Sequence, residues 1–328
     1  MPPIRWALVG SSDFALDWIA PALRRAEGSA LAAVINRDAE RATAAAARVG
    51  AAQSYTSIEA IDTSLVDGVV LVTANEAHAA GAIAAARRGL HVVVEKPMAL
   101  SSADCADMIR AARENSVMLA VAHCMEWAPP IVAARALLAR GAIGEVRSAR
   151  ISASFFAEPS TARRGGNAAV SDTAAEFGAL FDMGVHAIDA AARLLGPIVQ
   201  VVAAHLNADI GGGHVELECA SGVRVQLSSS WGADENDFEI TSDAGTISSS
   251  EWWGRAFSGQ LSVRTSGGKV AEPLPRQNVY EQQYAHLAAA ARQEVPLLIS
   301  GERGASNIAV IEAIVRSARN GHPAAIGT

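Results

Sequence analysis

Glu95-Lys96-Pro97 follows directly on the apolar run His91-Val-Val-Val94. A buried strand ending in an ion pair and a proline delivers a titratable amine to the carboxyl end of a sheet, where open α/β folds bind their ligands. On its own the triplet reads equally well as a structural ion pair. Lysine chemistry needs a cofactor and an acid/base partner elsewhere in the chain. A second group of chemical interest lies in Gly178-Ala-Leu-Phe-Asp182-Met-Gly184-Val-His186-Ala-Ile-Asp189, which opens a helix running to Leu195-Gly196. Asp182 and His186 are four apart, Asp189 and Arg193 continue their stripe, and Val185, Ile188, Ala192 and Leu195 form a separate apolar face. An aspartate at this spacing orients an imidazole and holds its pKa near working pH, as general acid/base catalysis requires. A surface helix carrying i, i+4 charge pairs has the same pattern. No other His or Cys cluster has ligand spacing, so no metal is expected.

A third group supplies the cofactor. Gly10-Ser11-Ser12-Asp13-Phe14-Ala15 matches G-x-G-x-x-G/A with serine at the second glycine position. The first glycine permits the tight turn, the last small residue lets helix and strand approach, and the helix N-terminus receives a pyrophosphate. Asp13 must then point outward or cap the helix, since a carboxylate repels phosphate. At the end of the second strand stands Asn36-Arg37, where an NAD site carries an acidic residue. Arg37, with Arg41 one turn later, suits a 2′-phosphate, so NADP(H) is favoured and NAD(H) remains open. The competing arrangement is a solvated arginine pair with Asp38 on an NAD ribose.

The elements that must position these groups fall into two textures. Up to about residue 122, short β-branched runs (4–9, 30–35, 68–72, 91–94 and 117–121) alternate with alanine-rich helical stretches (14–26, 38–48, 76–88 and 101–115), which predicts parallel strands joined by crossover helices. Pro21 should kink or shorten the first helix, and Ser101-Ser-Ala-Asp104 resembles a capping box. Further on, alternating Thr, Ser, Val and Gly predict strands at 146–156, 199–207, 214–219, 222–231, 236–241 and 260–266, with helices at 128–140, 184–195, 279–293 and 303–319. Consecutive strands without crossover helices imply a largely antiparallel sheet. The expected fold class is therefore α/β: a doubly wound Rossmann domain over 1–122 and an α+β substrate-binding and oligomerisation domain over 123–328, with the active site in the cleft between them.

Composition excludes several classes. The chain has 328 residues, half of them hydrophobic, a net charge of −7 and a pI near 5.6. It lacks the clustered Lys and Arg of a nucleic-acid partner. Cys105, Cys124 and Cys219 form neither a disulfide framework nor CxxC pairs, which points to a reducing compartment. The early run Trp6-Ala-Leu-Val9 is too short for a signal peptide and no stretch reaches transmembrane length, so a soluble cytoplasmic protein is expected.

Taken in order, the phosphate loop, Val72-Thr-Ala-Asn75-Glu-Ala-His78, Val94-Glu-Lys-Pro97, Gly141-Ala-Ile-Gly144 and the Asp182-to-Asp189 segment resemble the Gfo/Idh/MocA family of glucose-fructose oxidoreductase, inositol dehydrogenase and relatives. The resemblance covers nearly the whole chain. It implies that Lys96 binds substrate and relays a proton beside the nicotinamide, that Asp182 holds a substrate hydroxyl, and that His186 is the general acid/base. It places Thr73, Ala74, Asn75 and His78 along the adenine and ribose side together with Gly10, Ser11, Ser12, Phe14, Asn36 and Glu95, and lets Tyr280 close over the cofactor. It implies a cis bond between Lys96 and Pro97. The family's usual Asn and Arg are missing from Ala122-His123-Cys-Met-Glu126-Trp127, leaving His123 and Trp127 as pocket residues or Trp127 as a buried structural residue. The glycine-containing loop from Glu158 to Glu176 brings Arg163 and Arg164 as substrate ligands or as a solvated pair. These residues describe an NADP(H)-preferring oxidoreductase of a sugar, anhydro-sugar or cyclitol. The alternatives are a non-catalytic dinucleotide sensor and a dihydrodiol or aromatic-aldehyde reductase. A homo-dimer or homo-tetramer through the open face of the C-terminal sheet is expected, on the ground that an apolar sheet face must be covered.

Overall fold

A computed structural model of the protein describes residues 1–156, 176–252 and 259–327. They group into two units, Met1–Cys124 with Tyr280–Ala305, and Met125–Val279 with Ser306–Thr328.

The first unit holds a six-stranded sheet of β1 (Ile4–Val9), β2 (Ser29–Ile35), β3 (Gln53–Tyr55), β4 (Gly68–Leu71), β5 (His91–Val94) and β6 (Leu119–Val121). Their spatial order is β3-β2-β1-β4-β5-β6, every pair parallel. The order reverses between β1 and β4, which makes the ends of those strands the switch point where such sheets bind ligands. β4 and β5 are apolar throughout because crossover helices cover both faces of a parallel sheet. The connections are α1 (Ala20–Arg25), α2 (Ala39–Val49), α3 (His78–Arg87) and α4 (Ser102–Glu114). Ahead of α1, Ala15–Ile19 is wound as a π-helix. That wide turn precedes Pro21, whose missing N–H leaves the Asp17 carbonyl without its helical donor. The Ser101 hydroxyl accepts the Asp104 N–H at the start of α4, as the capping box predicts. β3 was not anticipated: at three residues, Gln53-Ser-Tyr55, it is an edge strand without an apolar run.

In the second unit a nine-stranded sheet has the order β14-β13-β12-β11-β7-β10-β9-β8-β15. Its strands are β7 (Val146–Ser154), β8 (Ile198–Asn207), β9 (Gly212–Cys219), β10 (Arg224–Ser230), β11 (Phe238–Ser242), β12 (Gly245–Ser249), β13 (Gln260–Thr265), β14 (Gly268–Pro273) and β15 (Ala324–Ala325). All pairs are antiparallel except β7 with β10. α5 (Pro129–Ala139) and α6 (Val185–Leu195) belong to the same unit; α7 (Val279–Ala291) and α8 (Gly301–Asn320) follow among the described residues.

Register divides this sheet cleanly. One face carries the row Leu217, Val225, Ala149, Ile240 and Ile247, all buried, and meets the α6 side. The opposite face carries Glu218, Arg224, Ser148 and Thr241 in one row, and Glu216, Gln226, Arg150 and Glu239 in the next. Arg224 pairs with Glu216 and Glu218, at 3.2 Å each. The expected apolar open face is therefore absent. Alternation puts Ser, Thr, Arg and Glu outward, and hydrophobic burial gives no argument for oligomerisation there.

Candidate active site

At the end of β1, Gly10 has φ +112°, and a Cβ built on it would lie 2.3 Å from the Val72 carbonyl oxygen at the end of β4. Only glycine fits this turn, and the bare backbone is what a diphosphate can approach closely. Ser12, in place of the second glycine, has a job of its own: its hydroxyl accepts the Ala15 N–H at 3.2 Å and its carbonyl the Leu16 N–H at 2.9 Å, starting the helix. Asp13 turns outward to Arg48 at 3.6 Å, which removes the repulsion anticipated from the sequence. Asn36 donates to the Ser11 hydroxyl at 2.6 Å and locks the loop to the end of β2. Asp38 accepts the Glu40 and Arg41 N–H groups as the N-cap of α2, while the Arg37 and Arg41 side chains are exposed. Phe14, 37 % exposed, meets Tyr280 edge-on with ring centroids 6.0 Å apart, and Trp18 lies 6.3 Å from the same ring. An ion pair of Arg25 with Glu281 at 2.5 Å fixes the start of α7 at this place. These features fit a dinucleotide: a glycine cradle, a helix N-terminus, an aromatic cluster and two exposed guanidiniums, of which Arg41 lies 3.9 Å from Asp38.

The lysine turn follows β5. The Glu95 N–H continues the sheet to the Leu71 carbonyl at 3.0 Å, and the Lys96–Pro97 bond is cis, as expected. Glu95 is buried and its carboxylate accepts the Lys96 N–H at 3.2 Å; Lys96 itself is half-buried. Thr73 and Asn75 are half-buried and Ala74 is exposed, but His78 is wholly buried, its Nδ1 3.0 Å from the Pro97 carbonyl oxygen. The assignment of His78 to the cofactor side is thereby corrected, because helix α3 starts at His78 and turns its imidazole into the protein. Burial holds that imidazole below its ordinary pKa, against the pull of the Pro97, Thr73 and Met98 carbonyls. Tyr284 and Gln283, fully buried on α7, were not anticipated. Burial, with the Glu95 carboxylate adding to it, pushes the Tyr284 hydroxyl well above the usual phenol range and keeps it neutral. Their stretch of α7 reads in sequence only as one more packing face. His123 is buried and Trp127 half-buried.

In the second unit, Leu180–Gly184 forms a π-turn that leads into α6. A Cβ on Gly184 would lie 2.8 Å from Leu180 Cδ1 and 3.1 Å from Ser229 Oγ on β10, so a glycine lets this helix approach the sheet between Asp182 and His186. Asp182 is half-buried, whereas His186 and Asp189 are each only 3 % exposed. The polar stripe is thus internal, and the surface-helix alternative fails. Asp189 accepts from Asn307 Nδ2 on α8 at 3.0 Å. Arg193 reaches the buried Glu126 carboxylate at 2.9 Å, and Arg135 of α5 pairs with the same carboxylate. Glu126 therefore stands at the centre of an ion-pair triad, a role its isolated charge in the sequence did not reveal. Arg163 and Arg164 lie outside the described residues. Among the described residues no group of three or more His, Cys, Asp or Glu could hold a metal ion, and no helix is long and apolar enough to cross a membrane.

Comparison with known proteins agrees with this layout. The model of an oxidoreductase family with an NAD-binding Rossmann fold, Gfo/Idh/MocA, matches residues 4–123, and the same family's C-terminal domain matches residues 131–248. A 1,5-anhydro-D-fructose reductase of Ensifer adhaerens is 30 % identical over 99 % of both chains. An NADP(+)-dependent D-xylose 1-dehydrogenase of Haloferax volcanii is 27 % identical over 96 % of this chain and 98 % of its own. The crystal structure of an aldose-aldose oxidoreductase from Caulobacter crescentus, complexed with glycerol, superposes with a TM-score of 0.87 at 26 % identity, covering 98 % of this chain and 99 % of that one. Likeness of this extent, carried along the whole length from phosphate loop to C-terminal sheet, makes the chain a member of the Gfo/Idh/MocA family of NAD(P)-dependent oxidoreductases.

Proposed function

We propose that the protein is an NADP(H)-preferring oxidoreductase that moves a hydride between nicotinamide and a carbonyl or secondary alcohol carbon of a sugar, anhydro-sugar or cyclitol. The observation that carries this reading is the burial of His186 and Asp189 on α6 behind a half-buried Asp182, since a regulator that only bound the dinucleotide would have no use for these groups together with a lysine turn. The named activities of the relatives, on an anhydro-sugar and on a pentose, support the substrate class. The bound nicotinamide supplies the hydride acceptor or donor. In the reducing direction Lys96 hydrogen-bonds the substrate carbonyl oxygen, Asp182 holds a neighbouring hydroxyl, and His186 gives that oxygen its proton as carbon receives the hydride. Oxidation runs the same transfers backwards.

The preference for NADP(H) rests on the end of β2. Arg37 and Arg41 are exposed and suit a 2′-phosphate, while Asp38 commits one carboxylate oxygen to the α2 cap and has the other 3.9 Å from Arg41. NADPH and NADH oxidation across a panel of keto-sugars and inosose-type ketones tests both parts. The expected result is turnover with a lower KM for NADPH; a clear preference for NADH overturns the cofactor assignment. Lys96→Ala should lower kcat by roughly 10²–10⁴-fold, and a variant with full turnover would sink the mechanism.

A further inference from the structure

We propose that His78 is a positioning residue for Lys96: its Nδ1–H donates to the Pro97 carbonyl and fixes the turn from which the lysine side chain departs. The inference rests on the catalytic reading of Lys96 given above.

The two segments involved leave neighbouring parallel strands at the same end of the sheet. β4 pairs with β5 from Gly68↔His91 to Leu71↔Val94. After β4 the chain passes through a 3-10 turn, Asn75–Ala77, into α3, whose first residue is His78. After β5 it passes through Glu95, Lys96 and Pro97. At its base the second segment is held by the Glu95 N–H on Leu71 and the Ala122 N–H on the Val94 carbonyl. Pro97 has no N–H, and the Lys96 N–H is directed to the Glu95 carboxylate. The Pro97 carbonyl oxygen, next to the lysine, is where a side chain can grip the turn, and the His78 Nδ1 lies 3.0 Å from it.

The imidazole suits this task. His78 is fully buried, and its backbone is set by the helix it begins, so the ring is a fixed strut. A ring nitrogen facing a carbonyl oxygen must carry the proton, which assigns the Nδ1–H tautomer. Burial disfavours a second proton on the ring and outweighs the neighbouring Thr73 and Met98 carbonyls. A neutral strut adds no second positive charge beside the Lys96 ammonium. A misplaced reacting group can cost about 100-fold in rate for an error of about 1 Å, so the contact bears on turnover although His78 touches neither substrate nor cofactor.

Asn and Gln separate this role from simple packing, because the Asn amide nitrogen falls near the position of Nδ1 and the Gln amide nitrogen near that of Nε2. The test is NADPH-dependent turnover of His78→Asn, His78→Gln and His78→Leu in the full-length protein. NADPH affinity from nicotinamide fluorescence and melting temperature are measured alongside. His78→Leu and His78→Gln should lose roughly 10–100-fold in kcat with NADPH affinity close to wild type, and His78→Asn should recover most of the loss. Equal kcat for Asn and Gln overturns the proposal, as does a loss that falls on NADPH affinity instead of kcat. If Leu does not fold, the Asn and Gln pair decides alone. Lys96→Ala, run beside them, distinguishes the two failures. Full turnover there removes the catalytic reading and this inference with it, whereas an inactive Lys96→Ala beside a fully active His78→Gln removes only the inference.

Discussion

The lysine turn and the α6 row are built differently. Around Lys96 main-chain groups are engaged: the Leu71 carbonyl, the Pro97 carbonyl with His78, the Val72 carbonyl against Gly10, and the Lys96 N–H on the Glu95 carboxylate. Along α6 side chains drawn from remote segments are engaged, with Asn307 on Asp189, and Glu126 holding both Arg193 and Arg135. A site made from backbone at strand ends needs special residues at fixed places, Gly10 and Pro97 among them. A site made from side chains on a helix needs partners whose place in the sequence is free. The first kind is brittle to changes of backbone conformation, the second to changes of charge.

The sharpest way to break this contrast is Gly10→Ala. The new Cβ would lie 2.3 Å from a backbone oxygen, at a φ of +112° that side chains rarely adopt. Strain of about 1–3 kcal/mol from the backbone and about 1–3 kcal/mol from overpacking falls on the loop that cradles the diphosphate. Fluorescence titration should show NADPH binding weakened by at least about 100-fold, equivalent to roughly 2.8 kcal/mol. Binding at wild-type strength would mean that the β1 and β4 ends give way easily, and the main-chain site would not be brittle.

Glu126→Leu is the matching attack on the side-chain network. It leaves Arg135 and Arg193, each about one-third exposed (34 % and 33 %), facing one another across an apolar group. Breaking a buried pair costs about 3–5 kcal/mol; partial exposure of both arginines reduces this to roughly 2–3 kcal/mol. The melting temperature should fall by about 4–8 °C, and the double change Glu126→Leu with Arg193→Leu should recover part of it. A single variant as stable as wild type would show that the triad is dispensable and that apolar packing alone holds α6.

What could be read from the sequence follows the same division. The parallel sheet was legible because crossover helices bury both faces and leave unbroken runs such as Val92-Val-Val94. So was the phosphate loop, because a left-handed turn against a carbonyl admits only glycine. The nine-stranded sheet was legible through its alternation, except for the two-residue β15 and for β12 and β14, where Thr246-Ile-Ser-Ser249 and Lys269-Val-Ala-Glu offer one or two apolar residues each. Its outer face was misjudged, because the rule that sheet faces need cover applies to apolar rows and this face carries Arg224, Glu216 and Glu239. Glu126, Asn307 and Tyr284 gave no local signal: each matters through a partner brought to it by the fold. His78 carried a signal, its place in the run from Thr73, but the helix start turned its ring inward.

The smallest effect separates two imidazoles of the first unit, His78 and His91. His91 is half-buried and also titrates below its ordinary range, through burial opposed by the Asp67 carboxylate. Its Nδ1 accepts the Met118 N–H at 3.1 Å, so its proton sits on Nε2, the reverse of the tautomer at His78. With the folded pKa below the unfolded one, the unfolded chain binds more protons at mildly acid pH. The stability of the neutral form is then complete above about pH 6.5 and declines as the pH falls through that value. The lowered carboxylates, Asp67 and Glu302 among them, begin to lose their contribution only below about pH 4.5. Between pH 6.5 and 5 the slope of melting temperature therefore belongs mainly to histidine. Asn at position 91 places its carbonyl oxygen where Nδ1 was, still accepts from Met118 and does not titrate. His91→Asn should flatten that slope by on the order of 1 °C while leaving the melting temperature at pH 7.5 nearly unchanged. An unchanged slope would move the acid sensitivity away from His91 to the more deeply buried imidazoles, His78 among them.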